Sequence, residues 1–469
     1  MKRYDSIVLN KLLDSYENSS AYRAERYGSG ESAVRDSGVS EMPKSVAEAG
    51  CAEPAIDSVK TAPARRRGIF CRIDKKNFPD YFDEASGAYD VLHQQFYVLE
   101  QKGLIRLYWR DGIEGHILEK AALNTENIPE AYRYLSRLPL WKKEERIKDI
   151  CEDYLNKYGI CTAFTDVSST SAADTGVLVN FLNRVIGRID AGESIRQFAD
   201  VDDPAGFDRL CSLVAAIINN ERDIYLRQFS TAVFNDSKIA EKILDKAASV
   251  IRNFGGGTFG KDADSQAENL STDEILENYG IYRNPLWIYM KGHAGIIIGD
   301  SSVDLSVPDN GIGLTLRDLD FVRADPESAP DCVLTVENLT SYYQQETIVE
   351  GKKAMVIYIG GFAGRKKRNF IKDLSISYPS AEFMHSGDID CGGFRIWKSL
   401  CEGCGIRFKT YRMDCKTFMR YRSSGRPMTA HDIRTLEAMR SDPFYADQRE
   451  LFEMMLDAGL KLEQESFAE

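Results

Sequence analysis

The sequence predicts an α/β plus α protein, with a parallel sheet in its C-terminal part and a helical N-terminal half. Three observations predict this class. A helix followed by two apolar runs occupies residues 88–123, helical periodicity dominates residues 128–251, and strand-like runs alternate with helical segments after residue 274. The 469 residues are 43% hydrophobic and 28% charged. This composition is typical of a folded chain of about three domains and excludes wholesale disorder.

The first 66 residues divide into two segments of different composition. Residues 1–27 carry apolar side chains at helical spacing, which predicts an N-terminal amphipathic helix. Residues 28–66 contain no aromatic residue and are rich in Gly, Ser, Ala and Glu. Because such a segment has little apolar surface to bury, we predict a flexible insertion here.

Residues 67–126 are predicted to form a winged-helix-like domain. The segment "AYDVLHQQFYVLEQKG" has a helical apolar stripe and ends in glycine. The apolar runs "LIRLYWR" and "HILEKAAL" then flank "DGIEG", which predicts a hairpin. A helix followed by a two-stranded ribbon is typical of winged helices. These domains bind either DNA or protein, and the pattern does not choose between them.

Residues 127–254 are predicted to form a helical middle region, because five segments in a row show helical periodicity. Residues 255–274 begin with three glycines and continue as a polar stretch. No Lys-Ser/Thr pair follows these glycines and no strand precedes them, so we predict a linker rather than a phosphate-binding loop.

Residues 275–469 alternate strands with helices, which predicts a parallel or mostly parallel sheet. Two of the strands end in acids. Glu337 follows "CVLTV", whereas Asp388 and Asp390 follow "EFMHSG". Because parallel strands meet with their carboxyl ends at one edge, we expect the three carboxylates to converge. Hard oxygen ligands of this kind bind Mg²⁺, or Mn²⁺, and the chemistry that uses them is phosphodiester cleavage.

The acids and the cysteines each have a plainer interpretation. Strand-terminal acids often cap the next helix, so from the residues alone metal binding and capping stay equally open. Four cysteines have partial zinc-knuckle spacing, although their outer spacings match no common zinc finger, and scattered thiols are favoured over a zinc site. They are Cys391, Cys401, Cys404 and Cys415.

The C-terminal motifs "TVENLTSYYQ" and "HSGDIDCGGFRIWKSL" resemble a Toprim domain, the Glu…Asp-x-Asp metal fold of topoisomerases. Together with "RQFSTAVFNDSKIAEKI", "GIYRNPLWIYMKG" and the N-terminal "YDSIVLNKLLDSYENS", they resemble the JetD family, the nuclease subunits of Wadjet anti-plasmid systems. The resemblance covers most of the chain except the 28–66 insertion. Where the family has proline after Asp-x-Asp, this chain has Cys391.

The resemblance implies a Mg²⁺-dependent endonuclease that cleaves closed-circular plasmid DNA with a condensin-like SMC complex of the JetABC type, and it implies a homodimer. Carried over by position, Glu337, Asp388 and Asp390 are the metal-binding catalytic residues. Two alternatives are a type IIB topoisomerase-like enzyme, for which Tyr97 or Tyr108 would be the candidate nucleophile, and a non-catalytic DNA-binding scaffold. The family implies hydrolysis without a tyrosyl intermediate.

Basic residues near the acids support contact with nucleic acid. Between Arg395 and Arg426 nine Lys and Arg residues face two acids. Such runs are usually solvated helix faces, but two of them beside a carboxylate site, in a chain of net charge −12, favour phosphate contact. Lys238 and Lys291 are weaker candidates, since each is equally an ordinary surface lysine. The predicted DNA-contacting cluster is Arg365, Lys366, Lys367 and Arg368.

The charge balance and the apolar runs limit the function classes further. An excess of 72 acids over 60 basic residues argues against a small basic protein that coats nucleic acid. Five histidines leave little material for a multi-histidine metal site. No apolar run reaches 18 residues and no signal peptide is recognised, so we expect no membrane association and a cytoplasmic location.

Overall fold

The computed structural model describes residues 2–27, 68–158, 170–255 and 270–467. The predicted insertion at 28–66 and most of the predicted linker at 255–274 lie outside the described residues. The chain divides into two compact units, one of residues 1–150 and 185–204 and one of residues 151–184 and 205–469. The helices of the predicted middle region are therefore shared between the two units.

The first unit has an N-terminal helix, as its apolar spacing predicts, and Val8, Leu9, Leu12 and Leu13 on that helix are fully buried. A later helix packs beside a three-stranded antiparallel sheet of order β1-β3-β2. The described elements are α1 (Tyr4–Glu17), α2 (Ser20–Tyr27), β1 (Phe70–Arg72), α3 (Ala88–Gln101), β2 (Ile105–Trp109), β3 (Leu118–Leu123) and α4 (Ile128–Leu135). The residues of α5 (Leu140–Tyr158) and α6 (Thr170–Asp190) are divided between the two units.

The predicted helix and hairpin of residues 88–123 are present as α3, β2 and β3. The hairpin pairs Ile105 with Leu123 and continues to a register shift between Tyr108 and Trp109. Strand β1 adds a third strand that the apolar pattern does not indicate, because it is only three residues long. The winged-helix assignment itself stays a prediction.

The second unit begins with helices and continues as an α/β domain. Its helices are α7 (Pro204–Ile218), α8 (Leu226–Phe234), α9 (Ile239–Phe254), α10 (Thr272–Asn278), α11 (Leu339–Gln344), α12 (Arg365–Ser377), α13 (Cys391–Cys404), α14 (Cys415–Tyr421), α15 (Ala430–Ser441) and α16 (Arg449–Ala458). Its strands are β4 (Ile224–Tyr225), β5 (Ile281–Tyr282), β6 (Trp287–Gly292), β7 (Gly295–Ile298), β8 (Ser301–Asp304), β9 (Ile312–Thr315), β10 (Val322–Ala324), β11 (Cys332–Val336), β12 (Ile348–Val349), β13 (Lys352–Tyr358), β14 (Glu382–Ser386), β15 (Lys409–Thr410), β16 (Arg426–Pro427) and β17 (Leu460–Lys461).

The main sheet of this unit is mixed, with the order β15-β14-β11-β13-β6-β9. Its first four strands are parallel, as predicted, whereas β6 pairs antiparallel with both of its neighbours, β13 and β9. A parallel connection needs a long crossover, usually a helix. Between β6 and β9 the chain instead forms β7 and β8, which pair with each other in a second small sheet completed by β10.

Strand β11 lies at the centre of the core because both of its faces are buried. Cys332, Leu334 and Val336 pack with Tyr342 on one face, whereas Val333 belongs to the larger core on the other face, together with Phe394. A continuous apolar run is typical of a parallel strand covered on both sides. The run "CVLTV" therefore leaves the acid that follows it at the sheet edge.

Candidate active site at the carboxyl edge of the sheet

Glu337 and Asp388 lie at the same edge of the main sheet because their strands are parallel neighbours. Val336 pairs with Ser386 in the last register position of β11 and β14. The backbone N–H of Glu337 then donates to the carbonyl of Ser386 at 3.0 Å. The predicted convergence of these two acids is therefore present in the structure.

The two acids are half-buried and adjacent. The backbone N–H of Asp388 donates to Oε2 of Glu337 at 3.3 Å. Burial and the nearby charge of Asp388 raise the pKa of the Glu337 carboxyl to about 8. Burial also raises the pKa of the Asp388 carboxyl to about 7, although a backbone hydrogen bond from Gln464 opposes the shift. Such shifts are typical of functional carboxylate pairs and also occur in buried structural pairs.

Asp390 differs from Glu337 and Asp388 because its carboxylate caps a helix. Its Oδ1 accepts a hydrogen bond of 2.9 Å from the backbone N–H of Gly393, so it caps the N-terminus of α13. The capping interpretation therefore describes Asp390 in this structure. It does not describe Glu337, since the residue that caps α11 is Asn338, whose Oδ1 accepts from Thr340 N–H at 2.7 Å.

Gln464 is a buried part of this site that sequence reasoning missed. Its backbone N–H donates to Oδ1 of Asp388 at 2.7 Å. Its side-chain oxygen accepts from Asn338 N–H at 2.9 Å, and its Nε2 donates to the hydroxyl of Ser386 at 3.0 Å. Gln464 thus ties the chain end to both acid-bearing strands. No local signal could have found it, because it lies 76 residues after Asp388.

His385 is the second site residue that was missed. It is fully buried, its Nδ1 lies 3.0 Å from the hydroxyl of Thr335, and its Nε2 has no hydrogen-bond partner among the described residues. Burial lowers the pKa of the imidazole to about 3, so the ring is neutral. A methyl group on Gly387 would lie 2.5 Å from Oε2 of Glu337 and 3.1 Å from Nε2 of His385. The absent side chain of Gly387 thus leaves a space bounded by both polar atoms.

The residues at this edge are suited to a hard cation such as Mg²⁺ that takes only some of its ligands from the protein. Within the described ranges no group of three or more His, Cys, Asp or Glu side chains is arranged to hold a metal ion. Mg²⁺ usually binds to one or two carboxylates and completes its shell with water and phosphate oxygens. Glu337 and Asp388 supply two such carboxylates, and both have pKa values that a nearby cation would lower.

The predicted DNA-contacting cluster on α12 is occupied by contacts within its own unit. Arg365 donates to the Asn220 carbonyl and to Asp223 at 3.3 Å each, and Lys366 lies 2.9 Å from Asp320. Lys367 is 5% exposed, and its Nζ donates to the Ile359 carbonyl at 2.7 Å. Arg368 is largely buried and donates to the Ala363 carbonyl, also at 2.7 Å. These residues anchor α12, and their burial opposes a phosphate-binding role.

The two single lysines differ in exposure. Lys291 is 4% exposed, donates to the Tyr343 carbonyl at 3.0 Å and lies 5.1 Å above the Tyr342 ring. A lysine held in this way has no surface to offer a phosphate group. Lys238 is exposed at the beginning of α9 and keeps its candidate role.

Several cations of the 395–426 run are paired with carboxylates. Ion pairs join Lys398 to Asp442, Arg407 to Asp447, Lys409 to Glu382 and Arg426 to Glu463. For Arg412, Lys416 and Arg422 the described part of the chain shows no carboxylate partner. Arg395, at the start of the run, likewise has no carboxylate partner among the described residues, and its Nη1 is buried without a hydrogen-bond partner there.

The four cysteines with partial zinc spacing are free thiols, and the described residues bring no metal-binding group around them. Cys401 Sγ accepts from Phe408 N–H at 3.4 Å, whereas the Cys404 thiol donates to the Arg368 carbonyl at 3.6 Å. Burial raises the pKa of both thiols. Cys391, Cys401 and Cys404 are buried, whereas Cys415 is half-buried.

The two tyrosines weighed as nucleophiles belong to the first unit. Tyr97 on α3 packs against Trp109 with ring centroids 5.6 Å apart. Tyr108 on β2 has Lys120 Nζ 5.0 Å above its ring. In neither case does a described contact activate the hydroxyl.

None of the described helices is long and apolar enough to cross a membrane.

Comparison with known proteins places these features in a family context. Residues 312–468 match the model of the family described as Wadjet protein JetD, C-terminal. Over 373 residues, the chain is 26% identical to the Wadjet protein JetD of Bacillus cereus (strain Q1), a match that covers 78% of this chain and 83% of the relative. The resemblance to JetD is confirmed. The part that matches the JetD C-terminal model contains Glu337, Asp388, Asp390 and Gln464, so the whole candidate site lies inside it.

Proposed function

We propose that this chain takes part in a Wadjet-type anti-plasmid system as its DNA-cleaving subunit, which hydrolyses phosphodiester bonds at the Glu337–Asp388 edge. The observation that carries the proposal is the position of these two half-buried acids side by side after neighbouring parallel strands. Two adjacent acids in an apolar surrounding are unfavourable without a proton or a cation between them. The similarity to JetD supports a role in a Wadjet-type system, and the carboxyl pair supports the hydrolysis of phosphodiester bonds.

Glu337 and Asp388 are the residues that we expect to hold Mg²⁺ or Mn²⁺, with Asp390 joining them if its carboxylate leaves the end of α13. A metal ion held there would offset charge on a phosphodiester and make a water molecule more acidic. Glu337, whose pKa burial raises to about 8, can keep a proton near neutral pH. If Asp388 alone holds the ion, Glu337 could exchange a proton with the attacking or the leaving oxygen, whereas as a metal ligand Glu337 would be ionised and could not donate one.

The partners follow from the JetD similarity and are part of the proposal. They are closed-circular double-stranded DNA, a condensin-like SMC complex and a second copy of this chain. The net charge of −12 gives the isolated chain poor long-range attraction to DNA. A complex that presents DNA already bent removes a cost of several kcal/mol. We therefore expect the isolated chain to cleave little and the complex to cleave strongly.

The test is cleavage of supercoiled and linear plasmid by the purified full chain, with and without a condensin-like SMC complex, ATP and Mg²⁺. Cleavage of circular DNA that needs the complex, stops with EDTA and leaves ends free of protein would support the proposal. Cleavage that persists in EDTA would contradict the metal-dependent site. DNA ends that carry covalently bound protein after a detergent quench would contradict hydrolysis.

A further inference from the structure

A cleft of about 260 Å³ opens beside the carboxyl pair, in the same unit. Ser386 and Gln464 form part of its wall. These two residues also support the site, because Gln464 donates from its backbone to Asp388 and from its side chain to Ser386. Ser386 and Asp388 are two residues apart at the end of β14, which corresponds to roughly 7 Å along an extended chain. The cleft also reaches Asp388 directly through Gln464, whose backbone N–H lies 2.7 Å from Oδ1 of Asp388.

Ser341 gives the cleft an unused hydrogen-bonding group. Its side chain lines the cleft and is 5% exposed, and its hydroxyl has no partner among the described residues. A buried hydroxyl without a partner destabilises a fold, and in a native structure it requires an explanation. A ligand with acceptor oxygens in the cleft would supply the missing partner.

Arg412 gives the cleft a cation in a strained, fixed position. It has a φ of +59°, a conformation that residues other than glycine rarely adopt. The backbone is held there because Tyr411 N–H donates to the His385 carbonyl at 2.7 Å, and Arg412 Nη1 donates to the Phe467 carbonyl at 3.3 Å. No carboxylate of the described residues forms an ion pair with the guanidinium. Strain of this kind is often found where a side chain is held for a function.

The remaining wall suits an anion. Gln344 and Tyr411 also line the cleft, and both side chains can donate hydrogen bonds. Glu346 is the one acid in the lining, and it is exposed, so its carboxylate can stay in water. A guanidinium with hydroxyl and amide donors around it is the chemistry that binds phosphate oxygens.

We propose that this cleft binds a backbone phosphate of DNA next to the phosphodiester that is cleaved at Glu337 and Asp388. This inference rests on the proposed function, because it assigns the cleft to the same DNA strand. Arg412 supplies the charge compensation that a second phosphate needs beside two carboxyl groups, and the Ser341 hydroxyl donates to one of its oxygens. The cleft then fixes the register of the strand relative to the acids, since backbone contacts position a nucleic acid without reading its sequence.

The test uses the full chain and a fluorescein-labelled 20-base-pair duplex, with binding measured by anisotropy in EDTA at several salt concentrations. The variants are Arg412→Gln and Ser341→Ala. The control is Arg323→Gln, which makes the same charge change at an exposed arginine on β10. We expect Arg412→Gln to weaken binding about tenfold and to reduce the salt slope by about 0.9, the loss of one phosphate contact.

Ser341→Ala separates a ligand-binding role from a structural one. Since the hydroxyl has no partner within the described protein, its removal should leave the melting temperature unchanged or raise it, while it weakens duplex binding. A lower melting temperature with unchanged duplex binding would overturn the assignment of Ser341. The same holds for Arg412 if Arg412→Gln binds the duplex with the affinity and salt slope of the Arg323→Gln control.

Competition with free deoxyadenosine monophosphate distinguishes the source of the phosphate. Variants that lose binding of the mononucleotide but keep duplex affinity would overturn the DNA assignment in favour of a nucleotide ligand. Different results would contradict the assignment of the cleft and the proposed nuclease function. Duplex binding that depends on Arg412 without metal-dependent cleavage would contradict the nuclease function alone, whereas full cleavage and binding by Arg412→Gln would contradict the cleft assignment alone.

Discussion

The backbone N–H of Asp388 donates a hydrogen bond of 3.3 Å to the Oε2 atom of Glu337. This contact joins the two strand ends that bear the acids. Partial burial makes each ionised form costly, so the pKa of each carboxyl is raised. The pair is thus a site where neutralisation by a proton or by a cation stabilises the fold.

The first prediction concerns cleavage. Glu337→Gln and Asp388→Asn should each reduce metal-dependent plasmid cleavage by about 10³-fold or more, because each removes a charge that holds the metal and balances the phosphate. Initial cleavage rates on supercoiled plasmid measure the effect. Glu437→Gln, the same change at an exposed position on α15, is the matched control. Wild-type cleavage by Asp388→Asn would mean that the site lies elsewhere.

The second prediction concerns stability without metal and its dependence on pH. The carboxyl of Glu337 titrates near pH 4.5 when unfolded and at about 8 when folded, so the folded state binds the extra proton between these values. The contribution of this carboxyl to the free energy of unfolding is therefore greatest at low pH and falls as the pH rises towards 8. For each such proton the slope is about 1.4 kcal/mol per pH unit.

Urea unfolding in EDTA between pH 5 and 9 checks this dependence by comparing the wild type with the Glu337→Gln, Asp388→Asn double variant. The difference between the two proteins removes the contribution of all other titrating groups. Mn²⁺ should restore stability to the wild type at pH 8 and have little effect on the double variant. A difference that stays flat or grows in favour of the wild type as pH rises would contradict the burial of the pair.

The third prediction tests the space beside Gly387. Gly387→Ala should reduce cleavage strongly, because the methyl group would lie 2.5 Å from Oε2 of Glu337 and displace that carboxylate. Gly405→Ala is the control. Gly405 ends α13 at a φ of +69° with no atom within 4 Å of an added methyl group, so alanine there should cost about 1 kcal/mol of stability and leave cleavage intact. Equal cleavage by the two variants would show that the space is not used.

The position of Glu337 and Asp388 could be predicted from the sequence because it depends on local patterns. An apolar run that ends in an acid predicts a buried strand with a carboxylate at its end, and the alternation with helices predicts that the strands are parallel. Asp390 could not be assigned in the same way. Its spacing suits both a metal ligand and a helix cap, and only the 2.9 Å contact with Gly393 N–H shows which of these it adopts here.

Residues brought in from a distance could not be predicted. Gln464 reaches the site because residues 460–467 pack along the sheet edge, which no periodicity reports. The same segment brings the Phe467 carbonyl to Arg412. Strand β15 is limited to Lys409–Thr410, since Arg412 adopts a positive φ and Asp414 caps α14. Likewise, a row of basic residues looks exposed in the sequence unless its hydrogen-bond and ion-pair partners are known. The partners of the basic residues on α12 lie up to 145 residues away along the chain.

The last prediction follows from that cluster and concerns Lys367. Because its Nζ is buried and bound to the Ile359 carbonyl, Lys367→Ala should remove about 3 kcal/mol from the free energy of unfolding. The loss would also leave the buried carboxyl of Glu277 without the positive charge that now lowers its pKa, a pKa that burial raises to about 7. Lys372→Ala, at an exposed lysine on the same helix, should change stability by less than about 0.5 kcal/mol.

Urea unfolding measures the stability of both variants. Fluorescence anisotropy with the duplex, at a temperature where both variants are folded, should show unchanged DNA affinity for Lys367→Ala. A stable Lys367→Ala variant with weakened, salt-dependent DNA binding would instead restore α12 as a phosphate-contacting surface, since that combination requires an exposed lysine rather than a buried one.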